Sequence, residues 1–345
     1  MLAVRTHAAG EPLRVEEVPI PEPSGTEVRV RVAGCGVCHT DLHLARSDRL
    51  RIRRPVTLGH EIGGTIDAWG DEAGRALRRS RMDEHDRVVV FGGWGCEACR
   101  ECAAGEPQRC ERGESPGFQR DGGYAEYVLV PHPRYLVPIG DLHADHAAPL
   151  ADAGVTPYRA VTRAAAWLTP GSRVLLIGFG GLGQFAIQFL RRVPDLTVAV
   201  REVDPDKLSV AARLGADLGL LEGDESLVTL GLGGPADVIF DFVGTDATLE
   251  YAARNVAPGG LISLVGEAGG TIAFGVERLP IEATLTTTAW GSPADLRAVV
   301  RLARRGRLRW EVERMPLERA GEAHDRLAAG KVAGRLVLVP RRDPG

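Results

Sequence analysis

The segment from Arg173 to Arg192 limits the fold of this chain more than any other. An apolar run, Arg173-Val-Leu-Leu-Ile, leads into Gly178-Phe-Gly180-Gly181-Leu182-Gly183, and a helical pattern over Leu182–Arg192 follows. Apolar runs without alternation suit strands buried on both faces, and such strands belong to parallel sheets covered by helices. Glycines at G-x-G-x-x-G spacing between strand and helix answer three steric demands. Gly178 permits the tight turn, Gly180 lets the backbone approach a pyrophosphate, and Gly183 lets the helix pack on the strand. At the helix N-terminus, Gly181 and Leu182 present free N–H groups to phosphate oxygens. A glycine turn can also bind nothing, so the acid beyond it matters. Glu202 stands nineteen residues past the last glycine, where an acid holds the adenosine ribose. Arg201 beside it would favour a 2′-phosphate. The balance of the two points to NAD, with NADP the lesser expectation.

The alternation continues downstream. Leu196-Thr-Val-Ala-Val, Ala236-Asp-Val-Ile-Phe-Asp and Leu261-Ile-Ser-Leu-Val read as further strands, with a helix over Asp206–Leu214. Upstream the texture differs. Short alternating runs between Gly, Pro and Asp mark residues 1–135 as β-rich. Ala147–Trp167 suits helix, interrupted by Pro149 and Pro157. The charged stretch Asp71–Asp86 lacks periodicity and reads as a surface excursion. The fold class is therefore α/β: a β-rich domain beside a doubly wound parallel sheet of Rossmann type.

Four cysteines, Cys96, Cys99, Cys102 and Cys110, fall within fifteen residues. Thiolates at that spacing converge on one tetrahedral ion. The spacing alone does not separate zinc from an iron–sulfur or redox role. Zinc is the expectation, since an α/β oxidoreductase rarely needs a cluster in its β domain, and a closed four-thiolate shell would make it structural. Only Cys35 and Cys38 remain, so a second, catalytic zinc needs His and carboxylate ligands. Cys38 in Gly34-Cys-Gly-Val-Cys38-His39-Thr40-Asp-Leu-His43 and His60 in Leu58-Gly-His60-Glu61 are candidates. The third ligand is left open by this pattern, and Cys35 reads as a small buried residue.

With 345 residues, two domains are expected. The formal charge of −4, from 42 basic and 46 acidic residues, argues against nucleic acid or an anionic membrane as partner. No apolar run approaches the ~20 residues of a membrane span. The opening residues read as a strand rather than a signal peptide, so the cytoplasm is the expected compartment.

These motifs together resemble those of the zinc-dependent medium-chain alcohol dehydrogenases. The likeness rests on Cys38-His-Thr-Asp-Leu-His43, Gly59-His60-Glu61, the four-cysteine lobe, Gly178–Gly183 and Gly330-Lys-Val-Ala-Gly-Arg335. Bacterial secondary-alcohol dehydrogenases are the nearest subgroup. The resemblance implies a GroES-like catalytic domain from both chain ends, residues 1–150 and 288–345, around a Rossmann domain at 151–287. It implies Asp152, in Pro149-Leu-Ala-Asp152-Ala-Gly-Val-Thr-Pro157, as third catalytic-zinc ligand and Glu61 as a group able to approach the metal. It further implies a proton relay from Thr40 to His43, phosphate contacts from His39 and Arg335, and nicotinamide contacts from Val243 and Val265. Trp94 and Trp290 are expected to wall the substrate pocket. The substrate implied is a small alcohol or ketone, and the assembly a homodimer or homotetramer. A zinc-independent enoyl or quinone reductase of this fold, or a non-catalytic nucleotide-binding regulator, would not require Cys38, His60 and Asp152. The arginines at 46, 49, 51, 53 and 54 mark either a solvated rim or a surface that steers anionic substrate.

Overall fold

The computed structural model describes residues 1–47, 51–223 and 231–341. Arg49 therefore lies outside the described residues. The chain divides into two compact units, Met1–Val155 with Gly291–Gly345, and Thr156–Trp290.

The first unit is built on mainly antiparallel β structure, with Val312–Pro316 parallel to Arg335–Val339. Leu2–Thr6 pairs with Arg14–Glu17 and Val56–Thr57 in a three-stranded sheet. A seven-stranded sheet runs Val312–Pro316, Arg335–Val339, Val28–Gly36, Glu61–Trp69, Arg87–Val90 and Leu136–Pro138, with Tyr127–Val130 also paired to Val28–Gly36. Alternation explains the central strand: Val28, Val30 and Val32 are buried while Arg31 faces water. The alternation stops at Gly34-Cys35-Gly36, where all three residues are buried. There Gly36 pairs with both Glu61 and Val337. A Cβ on Gly36 would lie 1.8 Å from Glu61 Oε2, so no larger residue fits this crossing.

Two segments differ from the sequence expectation. Asp71–Asp86 contains a helix, Ala73–Arg79, held down by buried Ala73 and Leu77 and followed by buried Met82. Its apolar residues are too few to show a period among so many charges. The predicted helix over Ala147–Trp167 is broken into a 3₁₀ turn, Ala148–Ala151, and a helix, Val155–Arg163. Asp152 sits in the break with φ −136° and ψ −64°.

The second unit is a six-stranded, wholly parallel sheet. Its order is Leu218–Leu221, Thr197–Glu202, Arg173–Ile177, Ala236–Asp241, Val256–Leu264 and Thr284–Thr287. The chain builds outward from Arg173–Ile177 on one side, then returns to build on the other. Leu175, Ile177, Ala199, Ile239 and Ile262 form part of its core. The strand order thus reverses beside Arg173–Ile177, and ligands of such sheets bind at the strand ends of that reversal. The glycine turn leaves the carboxyl end of that same strand.

Candidate metal and dinucleotide sites

Among the described residues, two groups of potential metal ligands gather closely, each with its donor atoms within 4.8 Å of one another. The first is Cys96, Cys99, Cys102 and Cys110. All four are free thiols. Cys99 Sγ lies 3.5 Å from Cys102 Sγ and 3.7 Å from Cys110 Sγ. A zinc tetrahedron with bonds of ~2.3 Å needs sulfur separations of about 3.8 Å, so the set fits. Backbone N–H groups favour the thiolate form: a hydrogen bond from Ala98 helps hold Cys96 down at about 6. Arg112 also donates to Cys96 Sγ at 3.2 Å. Burial, with Cys99 beside it, pushes Cys102 to about 11.

The second group is Cys38, His60, Glu61 and Asp152. Register assembles it. The Gly36–Glu61 pair brings Cys38, two residues past one strand, beside His60, one residue before the other. The broken helix supplies Asp152. Asp152 Oδ2 lies 3.7 Å from Cys38 Sγ and 3.6 Å from His60 Nε2. One zinc bound by sulfur at ~2.3 Å, nitrogen at ~2.0 Å and oxygen at ~2.1 Å requires about 3.6 and 3.4 Å. The arrangement is a ligand set in waiting.

The electrostatics agree. Burial alone would strip charge from His60, but Asp41 and Asp152 outweigh it and push the imidazole well above its ordinary value. Burial raises the Cys38 thiol. It also pushes Glu61 up to about 7, against the pull of Arg335. A pocket that retains protons this way exchanges them for a cation, so metal binding releases protons. Glu61 Oε1 accepts from Arg335 at 2.5 Å, while Oε2 is buried with no hydrogen-bond partner. That orphaned buried carboxylate oxygen, beside Cys38, His60 and Asp152, is a fourth candidate donor for an ion held there.

Asp41, to which the motif Cys38–His43 assigns no chemistry, holds two of these residues. It accepts from the Cys38 N–H at 3.0 Å and lies 3.1 Å from His60 Nδ1. Burial would raise its pKa, yet His60 more than offsets that and holds it low. Its position three residues into the helix His39–Arg46 satisfies a free helix N–H and orients a metal ligand together. Thr40 Oγ1 is 3.6 Å from Cys38 Sγ. His43, one turn further along the same helix, shares its face. His39 is exposed.

Arg335 is buried and donates to the Val37 carbonyl and to Glu61, beside Cys38 and His60. Trp94 is buried, with its indole N–H on the Phe91 carbonyl and its ring beside Tyr135. Those contacts give it a packing role next to the four-thiol loop. Trp290 is half-buried with φ +49°.

In the parallel-sheet unit the glycines behave as their spacing requires. Gly178 has φ +84°, and a Cβ there would meet Val243 Cγ2 at 2.6 Å. A Cβ on Gly183 would strike the Gly178 carbonyl at 2.6 Å, whereas one on Gly180 would meet nothing within 4 Å. Gly180 is exposed, and the helix Gly181–Leu190 starts from it. Glu202 accepts from the Phe179 N–H at 2.6 Å and the Val203 N–H at 2.8 Å, which ties the acid to the turn. Arg201 points to the other face of the sheet. Its guanidinium lies 4.2 Å from the Tyr251 ring and 3.1 Å from Glu222. Val243 donates to Asp241 Oδ1, and Val265 to the Asp241 carbonyl, at the carboxyl ends of neighbouring strands.

A β unit with one open ligand set and one closed thiolate shell, joined in sequence to a doubly wound dinucleotide unit, defines a metal-dependent dehydrogenase. Comparison with known proteins agrees. Residues 24–141 match the alcohol dehydrogenase GroES-like domain, and residues 214–338 match the zinc-binding dehydrogenase family. The chain is 35% identical to an NAD-dependent alcohol dehydrogenase of Sulfurisphaera tokodaii, over 99% of this chain and 100% of that protein. It is also 35% identical to a D-arabinose 1-dehydrogenase (NADP(+)) of Saccharolobus solfataricus, over 96% and 95%. The alcohol dehydrogenase structure from Aeropyrum pernix superposes with a TM-score of 0.91 at 35% identity, covering 99% of this chain and all of that one. The chain belongs to the zinc-dependent medium-chain alcohol dehydrogenase family.

Proposed function

We propose that this protein transfers hydride between a small alcohol and its carbonyl counterpart, with zinc and NAD. The observation that carries the reading is the convergence of Cys38, His60, Glu61 and Asp152 at zinc-compatible separations. Cys38, His60 and Asp152 would hold a zinc ion, with Glu61 Oε2 as a further oxygen donor; the ion would supply Lewis acidity at the substrate oxygen and NAD the hydride acceptor. Thr40 takes the alcohol proton, and His43 passes it towards solvent. The Gly178–Gly183 turn and the N–H groups of Gly181 and Leu182 receive the pyrophosphate. Glu202 holds the adenosine ribose. Val243 and Val265 border the nicotinamide, and Trp290 the substrate.

NAD is favoured over NADP because Arg201 is engaged with Tyr251 and Glu222 rather than aimed at a 2′-phosphate. Secondary alcohols are the substrate class proposed, on the likeness of the segment around Asp152. Assembly as a homodimer or homotetramer in the cytoplasm belongs to the same proposal. Among the described residues, no helix is long and apolar enough to cross a membrane.

Metal analysis and a substrate panel test the reading. Two zinc ions per chain, one lost together with activity in Cys38→Ala, and turnover of secondary alcohols with NAD above NADP are expected. Full activity in Cys38→Ala would sink the mechanism, and preference for NADP would sink the reading of Arg201.

A further inference from the structure

A line of buried polar side chains continues from His60 away from the metal cluster. Asp41 Oδ1 lies against His60 Nδ1 at 3.1 Å. Its other oxygen accepts from the Tyr124 hydroxyl at 3.1 Å. The same hydroxyl lies 3.4 Å from His324 Nε2, on the helix Ala320–Ala328. All four residues are buried. Three of them come from segments remote from His60 in sequence, and none of the mechanistic steps above uses Tyr124 or His324.

The chemistry sets the direction of each bond. An ionised carboxylate only accepts, so the Tyr124 O–H donates to Asp41. The phenol oxygen then has lone pairs left, and His324 must present Nε2–H to it. Burial, followed by the charge of Asp41, pushes the Tyr124 phenol well above its ordinary value, so the donor proton stays in place. Burial pushes His324 down, so it serves as the neutral imidazole. On the metal side, Asp41 accepts from His60 Nδ1–H, which leaves Nε2 as the lone-pair nitrogen for the metal. Every donor in the line therefore points towards Asp41, and the two bonds His324–Tyr124 and Tyr124–Asp41 run in one sense, so they polarise one another in the low-dielectric interior.

The backbone keeps the phenol in place. Tyr124 N–H donates to the Leu58 carbonyl at 2.8 Å, and Val4 N–H donates to the Tyr124 carbonyl at 2.7 Å. Its ring covers Gly59, whose φ of +95° leaves no room for a side chain: a Cβ there would lie 2.4 Å from the ring. Gly59 immediately precedes His60, so the same contact fixes the metal ligand and its remote partner.

We propose that Tyr124 and His324 are positioning residues for the metal, holding Asp41 and thereby the His60 tautomer that binds it. The proposal rests on the zinc reading of the Cys38 cluster. The competing account is packing alone, since the Tyr124 and His324 rings also make an edge contact at 5.9 Å. Substitutions separate the two. Tyr124→Phe keeps the ring and removes only the hydroxyl. His324→Leu removes the donor, and His324→Gln restores an N–H.

The measurement is the affinity of the Cys38 site for Co²⁺, read from its visible absorption and by chelator competition, in protein whose four-thiol site stays filled with zinc. Removing an outer partner of a metal-ligating His weakens binding by about 10- to 100-fold. We expect about a tenfold loss in Tyr124→Phe, a smaller loss in His324→Leu, and His324→Gln within about twofold of the parent. Affinity unchanged in Tyr124→Phe and His324→Leu would overturn the proposal. So would equal losses in the Leu and Gln variants accompanied by equal falls in Tm, which would assign packing. If Tyr124→Phe fails to fold, the His324 pair decides alone. A parent protein with no Co²⁺ band at this site would instead overturn the zinc reading itself.

Discussion

Gly180→Ala separates ligand contact from protein packing more cleanly than any other substitution in the dinucleotide turn. Gly180 has φ −73° and ψ −156°, extended backbone at negative φ, so alanine meets no left-handed penalty there. Its added methyl would meet no protein atom within 4 Å. Only the weaker helix-start preference of alanine acts on the fold, a loss within about 1 kcal/mol, or roughly 3 °C in Tm. The pyrophosphate, however, must approach where the methyl projects. Overpacking of one methyl into a fitted contact costs about 1–3 kcal/mol. At 1.4 kcal/mol per tenfold, NAD binding weakens about 5- to 150-fold. Gly183→Ala is the counterpart: its methyl meets the Gly178 carbonyl at 2.6 Å, so both Tm and NAD affinity fall. Calorimetric titration with NAD and thermal melts of the metal-loaded protein provide the two readouts. If Gly180→Ala binds NAD within twofold of the parent, or melts as low as Gly183→Ala, the reasoning is refuted.

Other outcomes follow from the two metal sites and the relay. Cys99→Ala should remove one zinc per chain and lower Tm while leaving the Co²⁺ affinity of the Cys38 site intact; an unchanged zinc content would show that the four thiols bind no ion. His43→Ala should lower turnover at neutral pH and recover at high pH, where solvent base replaces the relay; an unaltered pH–rate profile would remove His43 from the path. Glu61, raised by burial to about 7, binds a proton more tightly folded than unfolded. Its contribution to the stability of metal-free protein is present below its unfolded pKa of about 4.5 and is lost as pH rises through about 7. Melts of Glu61→Gln should therefore gain on the parent between about pH 5 and pH 8, and a constant difference would contradict the assignment.

The parts of the site legible in the sequence are those whose chemistry is local. Cys96 to Cys110 close around one ion within a single loop, so spacing alone declares them. The Gly178–Gly183 turn and Glu202 lie on consecutive strands of one parallel unit, and their roles follow from steric demands on adjacent residues. Cys38 and His60 were readable as candidates, but their union with Asp152 was drawn from family likeness. Asp41 carries no signal of its role in the sequence, because an acid near a helix start has an ordinary structural explanation. Nothing in the pattern around Tyr124 or His324 marks them, since they are 200 residues apart.

Sequence by itself therefore determined the two unit types, the closed thiolate shell, the dinucleotide turn and the kinds of ligand left for a second metal. Tertiary structure decided the rest. Pairing of Gly36 with Glu61 and Val337 drew Cys38, His60 and Arg335 to one end of a sheet. The broken helix turned Asp152 inward, Arg335 went to Glu61, and Arg201 went to Tyr251 and Glu222. These outcomes depend on strand register and on which buried charges find partners, and a one-residue slip would reverse the face of every side chain. The chemistry of burial then set which carboxylates are orphaned, which are held by N–H donors, and which tautomer His60 offers the metal.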